Sequence, residues 1–226
     1  MPVLALDTSG DIAVSLVQPT ADGGCAVLAA RRTAEERRHA ELLAPMVTEV
    51  LAEAGVRPTG LSAVVVGTGP APFTGLRAGL VTARVLAFAL GIEVHGVCSL
   101  DALAAQAYTS GAEGDVLVVT DARRREVYAA RYRRLAPDVE LLSGPLVQLP
   151  AVVGATVEGA VVVGPGAALY PDLLPAAPGA PLVVDPAVLA TLALARAARG
   201  MRLPTEPLYL RRPDVTPSPA VKRVTG

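Results

Sequence analysis

A strand, a glycine-rich loop and a helix follow one another in residues 63–91, and this unit constrains the fold more than any other segment of the chain. Its first residues are apolar and β-branched, which is typical of a buried strand. Two glycines and two prolines in residues 67–72 predict a loop. We expect a helix that is capped by Thr74, ends at Leu90 and is closed by Gly91. Such a unit often binds phosphate, because backbone N–H groups at a helix N-terminus lack partners.

The elements on either side of this unit indicate an internal duplication. Residues 3–7 and 12–18 predict a hairpin whose first strand ends in Asp7. The same order of strand, aspartate, polar turn and strand returns in residues 116–132. Two such hairpins half a chain apart are typical of the α/β, actin-like fold, in which two lobes each contain a mixed sheet. After Leu135 the sequence predicts proline- and glycine-rich loops, a strand over residues 160–164 and a helix that starts at Asp185 and Pro186 and ends at Gly200, so we expect the second lobe to be reduced.

These patterns predict three segments. The first lobe covers residues 1–100 and carries the helices that would bind a partner. The reduced second lobe covers residues 101–203, and residues 204–226 form an extended, proline-rich tail.

Composition excludes several classes of protein. With a net charge of −1, the chain lacks the positive charge expected of a protein that binds nucleic acid without a partner. No run reaches about 18 uninterrupted apolar residues and no secretory signal precedes the first strand, so we expect neither a membrane span nor export. Cys25 and Cys98 are isolated, which fits a reducing cytoplasm.

Two helices are candidates for binding another protein. Thr33 and Glu36 form a capping box that predicts a helix from Thr33 to Ala54 with a broad apolar face. In the helix that ends at Leu90, small residues recur every four positions and would let another helix approach closely. The expected partner-binding residues are Leu42, Leu43, Met46, Gly75, Leu76, Gly79, Leu80 and Ala83.

The alternative is that these faces pack on the chain's own sheet. The substitution Gly79→Leu distinguishes the two interpretations. If the stripe of small residues binds a partner, the variant loses that partner and the monomer stays folded.

Five segments in order resemble the bacterial TsaB (YeaZ) family. They are LALDTS, RRHAELLAP, GTGPAPFTGLRAGL, DARRREVY and PLYLRRP, and together they span nearly the whole chain. The family usually reads GPGSFTGLR in the central motif, whereas this chain has Ala71 and Pro72 in place of the glycine and serine. Pro72 lacks an N–H, so this loop has fewer backbone donors for an anion.

The resemblance implies an accessory subunit without catalytic residues of its own. It would pair with a TsaD-like subunit, which transfers a threonylcarbamoyl group to an adenosine of certain tRNAs, and with a TsaE-like ATPase. Contact with tRNA would be indirect, and any ATP or magnesium would be held mainly by the partners, in the cytoplasm. A homodimer and an independent ATP-dependent phosphotransferase or ATPase of the same fold stay open as alternatives.

Candidate ligand-binding residues agree with this picture only in part. Asp7, Thr8 and Ser9 match the first phosphate-facing turn of actin-like folds, and we expect them to be a vestige of it. Three arginines at positions 123–125 crowd the corresponding second turn. His39 has Leu43 one helical turn later rather than a second histidine, so we expect no metal site and a partly exposed His39. Peptidase chemistry lacks a recognisable nucleophile and base.

Overall fold

Two mixed sheets and six helices make up the part of the chain described by the computed structural model, residues 1–35 and 38–211. The strands are β1 (Val3–Asp7), β2 (Ile12–Pro19), β3 (Cys25–Thr33), β4 (Ala63–Gly67), β5 (Glu93–Val97), β6 (Asp115–Asp121), β7 (Val127–Leu135), β8 (Asp138–Gln148) and β9 (Ala160–Val163). The helices are α1 (His39–Glu53), α2 (Phe73–Leu90), α3 (Ser99–Thr109), α4 (Pro150–Gly154), α5 (Pro165–Leu169) and α6 (Pro186–Ala198).

The duplication predicted from the two hairpins is confirmed by the sheet topology. In the first sheet the strand order is β3-β2-β1-β4-β5, and in the second it is β8-β7-β6-β9. In both sheets the central strand pairs antiparallel with its hairpin partner and parallel with a later strand. Within the described part of the chain, the second sheet has no counterpart of β5. The chain therefore has the expected α/β, actin-like fold with a reduced second lobe.

Helices α3 and α6 lie between the two sheets and form one central core with them. Their buried residues are mostly alanine and leucine, and they pack against apolar side chains of β1 and β4 on one side and of β6, β7 and β9 on the other. Helices α1 and α2 cover the other face of the first sheet. Helix α6 follows residue 100 in sequence but packs on β1, β2 and β4, so the central core crosses the expected lobe boundary. That boundary stays a prediction.

The capping box expected at Thr33 is wrong, because Thr33 belongs to β3 and pairs with Ile12. Helix α1 begins at His39, its N-cap Arg38 makes no side-chain cap, and Glu36 lies outside the described residues. Helix α2 likewise begins at Phe73, one residue before the expected cap. The pairing of β3 with β2 therefore decided where β3 ends, and this long-range interaction outweighed a local signal.

The loops expected after Leu135 contain strand β8, which pairs antiparallel with β7. A β-carbon at Gly144 would lie 2.6 Å from the carbonyl oxygen of Ala129, so only glycine fits this close pairing. The glycine and proline that suggest a loop therefore belong to an irregular edge strand. Past Pro204, the described part of the predicted extended tail contains neither helix nor strand, and residues 212–226 lie outside the described residues.

Helix α2 is the described helix that is long and apolar enough to cross a membrane by length and composition. One of its faces packs in the core of the first lobe, and its other face carries Arg77 and Arg84. These are the features of an amphipathic helix that covers a sheet.

An ion-pair network joins the central helices to β8. The guanidinium of Arg196 in α6 lies 2.8 Å from Asp101 Oδ2 in α3 and 2.7 Å from Asp138 Oδ1 in β8. Arg199 also pairs with Asp138. Burial on its own would raise the pKa of Asp138, but the two arginines and the backbone N–H of Val139 lower it overall.

We expect Arg196→Met to destabilise the protein by about 3–5 kcal/mol, because it removes the main partner of the buried Asp138 and of the half-buried Asp101. Urea unfolding at neutral pH measures this difference, and Arg202→Met on the exposed surface is the matched control. A lowered pKa means that the stabilisation by Asp138 is present above its ordinary value of 3.8 and is lost as the pH falls through its folded-state value. The difference in the free energy of unfolding between Arg196→Met and wild type should therefore become smaller in acid. An equal loss of stability in Arg196→Met and Arg202→Met at neutral pH would contradict the prediction.

Candidate functional site

The two hairpin turns and the N-terminus of α2 meet around a cavity of about 230 Å³. The first hairpin contributes Asp7, Thr8 and Ser9 to its lining, and the second contributes Asp121 and Arg123. The structure thus brings the three residues of the expected phosphate turn together at the cleft between the sheets. The volume is below the range of about 300–1,000 Å³ that is usual for pockets that hold drug-sized ligands.

Both carboxylate oxygens of Asp7 accept hydrogen bonds within the chain. Its Oδ2 accepts from Ser99 Oγ at 2.6 Å, and its Oδ1 accepts from the backbone N and Oγ of Ser9 at 2.8 and 2.6 Å. A β-carbon at position 67 would overlap Oδ2, so Gly67 lets the carboxyl lie flat against β4. Burial raises the pKa of Asp7, and the serine hydrogen bonds oppose this shift. Both oxygens already have partners, so the geometry fits a structural role better than the orientation of a metal-bound water.

The second hairpin turn is strained and carries three exposed arginines. Arg123, Arg124 and Arg125 have φ angles of 62°, 54° and 62°. A residue other than glycine destabilises the fold by about 1–2 kcal/mol when its backbone adopts this left-handed conformation, because its β-carbon crowds the following carbonyl oxygen. The backbone N of Arg123 donates to Asp121 Oδ1 at 2.7 Å, and its guanidinium pairs with the same carboxylate at 3.1 Å. The turn therefore does not offer the small residues that a close approach of nucleotide phosphates requires.

His39 is buried, which corrects the expectation of a partly exposed residue. Only 7% of it is exposed, and its Nε2 has no hydrogen-bond partner among residues 1–35 and 38–211. This nitrogen lies against Gly75, where a β-carbon would be 2.9 Å away. Leu43, one turn later, is part of the apolar core. Among the described residues no group of three histidine, cysteine or acidic side chains could hold a metal ion.

Cys98 and His95 do not form a nucleophile and base pair. The Cys98 thiol donates to the carbonyl oxygen of Gly69 at 3.2 Å, and burial raises its pKa, so it is a poor source of thiolate. His95 Nε2 lies 3.3 Å from Glu93 Oε2 instead. Cys98 and His95 therefore do not supply the nucleophile and base that peptidase chemistry needs.

The stripe of small residues on α2 faces inward, which corrects its expected place on the surface. Gly75, Gly79 and Ala83 are buried with Leu76 and Leu80. A β-carbon at Gly79 would lie 2.3 Å from Thr8 Oγ1, and Thr8 Oγ1 donates to the carbonyl oxygen of Gly75 at 2.9 Å. The small residues therefore let α2 lie close to the end of β1 within the monomer.

The expected partner residues of α1 behave in the same way. Leu43 and Met46 are buried, and Leu42 is half-buried and packs against the same core. The expected interface residues thus form the contact between the helix pair and its own sheet, which is the alternative that the sequence left open.

The exposed side of α2 is apolar at its centre. Val81, Val85 and Phe88 are 57%, 60% and 90% exposed, and Arg77 and Arg84 are exposed beside them. At 100° per residue these five positions fall within an arc of about 100°. We call them the α2 outer face. The spacing of Val81, Val85 and Phe88 was visible in the sequence, but the sequence did not say which side of the helix is buried.

Comparison with solved structures identifies the family. The structure described as YeaZ from Pseudomonas aeruginosa superposes with a TM-score of 0.78 at 32% identity, over 92% of this chain and 99% of that one. The chain belongs to the TsaB (YeaZ) family. Members from Escherichia coli and Bacillus subtilis are named tRNA threonylcarbamoyladenosine biosynthesis protein TsaB. The Escherichia coli protein is 37% identical over 43% of this chain and 42% of its own length. The Bacillus subtilis protein is 34% identical over 59% of this chain and 56% of its own length.

Two further comparisons extend this result. An uncharacterised protein of Mycobacterium tuberculosis is 43% identical to this chain of the TsaB family. The alignment covers 95% of this chain and 94% of the relative. The family model described as TsaD, tRNA N6-adenosine threonylcarbamoyltransferase, matches residues 29–161. The matched region includes α1, α2 and the second hairpin.

We expect Gly79→Leu to destabilise the isolated monomer by about 2–3 kcal/mol, because the new side chain enters the packed contact with Thr8. Thermal and urea unfolding of the purified chain measure the effect. Ala89→Leu, at an exposed position of the same helix, is the control and should change stability by less than about 0.5 kcal/mol. If the Gly79→Leu monomer is as stable as wild type, the stripe of small residues does not pack inside the monomer and the prediction is wrong.

Proposed function

We propose that this chain is a non-catalytic accessory subunit of the machinery that makes threonylcarbamoyladenosine in tRNA. It pairs with a TsaD-like catalytic subunit and helps to recruit a TsaE-like ATPase, in the cytoplasm where tRNAs are modified. The observation that carries the proposal is the α2 outer face, where three large apolar side chains are exposed on one helix. Such a patch is costly in water and is typical of a protein–protein contact.

The interlobe cleft supports an accessory role rather than an enzymatic one. Asp7 is engaged by Ser9 and Ser99, and the opposite turn presents arginines in place of small residues. The alternative, an independent ATP-dependent phosphotransferase or ATPase, needs a free carboxylate at this place. We infer that ATP and magnesium are bound mainly by the partners, and that tRNA contacts this chain indirectly.

Helix α1 extends the proposed contact beside the α2 outer face. Its exposed side carries Ala44, Thr48 and Ala52, which recur every four residues and leave a shallow surface. Because α1 packs on α2 over the same face of the first sheet, a pair of partner helices can cover both at once. A second copy of this chain is the alternative occupant, which size-exclusion chromatography with and without the TsaD-like protein distinguishes.

We expect Phe88→Asp to weaken the complex with the TsaD-like subunit of the same organism at least thirtyfold, because it places a charge at the centre of an apolar contact. Isothermal titration calorimetry gives the dissociation constant. An assay of modified adenosine, with and without the chain, then tests whether the loss of pairing removes activity.

Val152→Asp in the second lobe is the control, since Val152 is 50% exposed and lies far along the chain from α2. It should pair as wild type does. Unchanged pairing of Phe88→Asp would contradict the proposed surface. Micromolar binding of Mg-ATP by the isolated chain, lost in Asp7→Ala, would favour the independent enzyme instead.

A further inference from the structure

The chain that follows α6 is held along the surface of the first lobe. We call residues 201–211 the C-terminal strap. The backbone N of Gly96 donates to the carbonyl oxygen of Leu203 at 2.9 Å, and the backbone N of Leu208 donates to that of Thr68 at 2.9 Å. A β-carbon at Gly96 would lie 2.1 Å from the carbonyl oxygen of Pro204, so glycine is required where the strap meets β5. These contacts fix the path of the strap beside α2.

Two side chains of the strap hold the two arginines of the α2 outer face. Arg77 Nε donates to Tyr209 Oη at 2.7 Å, and the Arg77 guanidinium lies 5.3 and 5.5 Å from the ring centroids of Phe73 and Tyr209. The two rings are themselves 4.5 Å apart. Arg84 Nε donates to Thr205 Oγ1 at 2.8 Å, and its Nη2 donates to the carbonyl oxygen of Thr205 at 2.6 Å.

All of these partners are neutral, so the strap orients the two guanidinium groups without compensating their charge. Neither Arg77 nor Arg84 forms an ion pair with another residue of the described ranges 1–35 and 38–211, whereas the buried Arg196 forms two. The two arginines are seven residues apart, which is about 10 Å along the helix. Stacking and hydrogen bonds also remove much of their rotamer freedom before any partner arrives, which lowers the entropic cost of binding.

We propose that the strap positions Arg77 and Arg84 to receive two carboxylates of the protein that covers the α2 outer face. The inference rests on the proposed function and adds the chemistry of the partner surface, an apolar patch with two acidic side chains about 10 Å apart. A protein fits better than an RNA backbone, because Val81 and Phe88 lie beside the arginines and need apolar cover. The strap is then part of the binding surface, with Tyr209 and Thr205 as positioning residues.

The test measures the dissociation constant of the complex with the TsaD-like subunit at several salt concentrations. The double variant Arg77→Met, Arg84→Met should bind roughly tenfold to a hundredfold more weakly and lose most of the salt dependence. Tyr209→Phe with Thr205→Val keeps the ring and the side-chain volume but removes both hydroxyls. This variant should bind about threefold to tenfold more weakly and with a smaller salt dependence, while its thermal stability stays close to that of wild type. Arg57→Met with Arg134→Met, at two exposed positions outside the strap and the α2 outer face, is the control for overall charge.

Each outcome separates the inference from the proposed function. If the arginine variant binds with wild-type affinity and salt dependence while Phe88→Asp does not bind, the inference is wrong and the proposed pairing stands. If wild type does not bind the TsaD-like subunit at all, both are wrong. Loss of tRNA binding by the assembled complex, with unchanged affinity between the subunits, would assign the arginines to RNA and overturn the inference. Weaker binding by the strap variant with an unchanged salt slope would reduce the strap to a structural role.

Discussion

The layer formed by α3 and α6 between the two sheets is the constraint on which the rest of the structure depends. Each sheet buries one face against these helices, so the two lobes share one apolar core. Alanines such as Ala104 and Ala190 keep the layer thin, and the Arg196 network joins its helices to β8. A shared core of this kind couples the two halves of the duplication more directly than a hinge between separate lobes would.

The same layer accounts for the state of the cleft. Ser99, the first residue of α3, donates to Asp7 at the end of β1, so the aspartate that could serve a ligand serves the junction between the first sheet and the central layer. The arginine turn on the other side of the cavity leaves little room for phosphates. The hydrogen bonds that Asp7 accepts from Ser9 and Ser99 stabilise the junction between the first sheet and the central layer.

The two opposite sides of helix α2 have different roles, one in packing and one at the surface. Its glycines bring it against the end of β1, and its outer face presents Val81, Val85 and Phe88 to solvent. The strap from the far end of the chain then fixes the two arginines beside these residues. The proposed docking surface combines segments that are more than 100 residues apart in sequence, as the contact between Arg77 and Tyr209 illustrates.

The sequence by itself determined the elements and their duplication: both hairpins, the strand and helix of residues 63–91 and the closing glycine, which has a φ of 66°. These follow from local periodicity and from the few residues that turns allow. It also placed Asp7, Thr8 and Ser9 at the cleft. Only the tertiary structure decided which side of α2 is buried, that His39 is internal and that β8 is a strand. An amphipathic pattern does not say whether small residues approach a partner or the chain's own sheet. Here the answer depends on the position of Thr8, which lies 71 residues from Gly79 in sequence but packs against it in the fold.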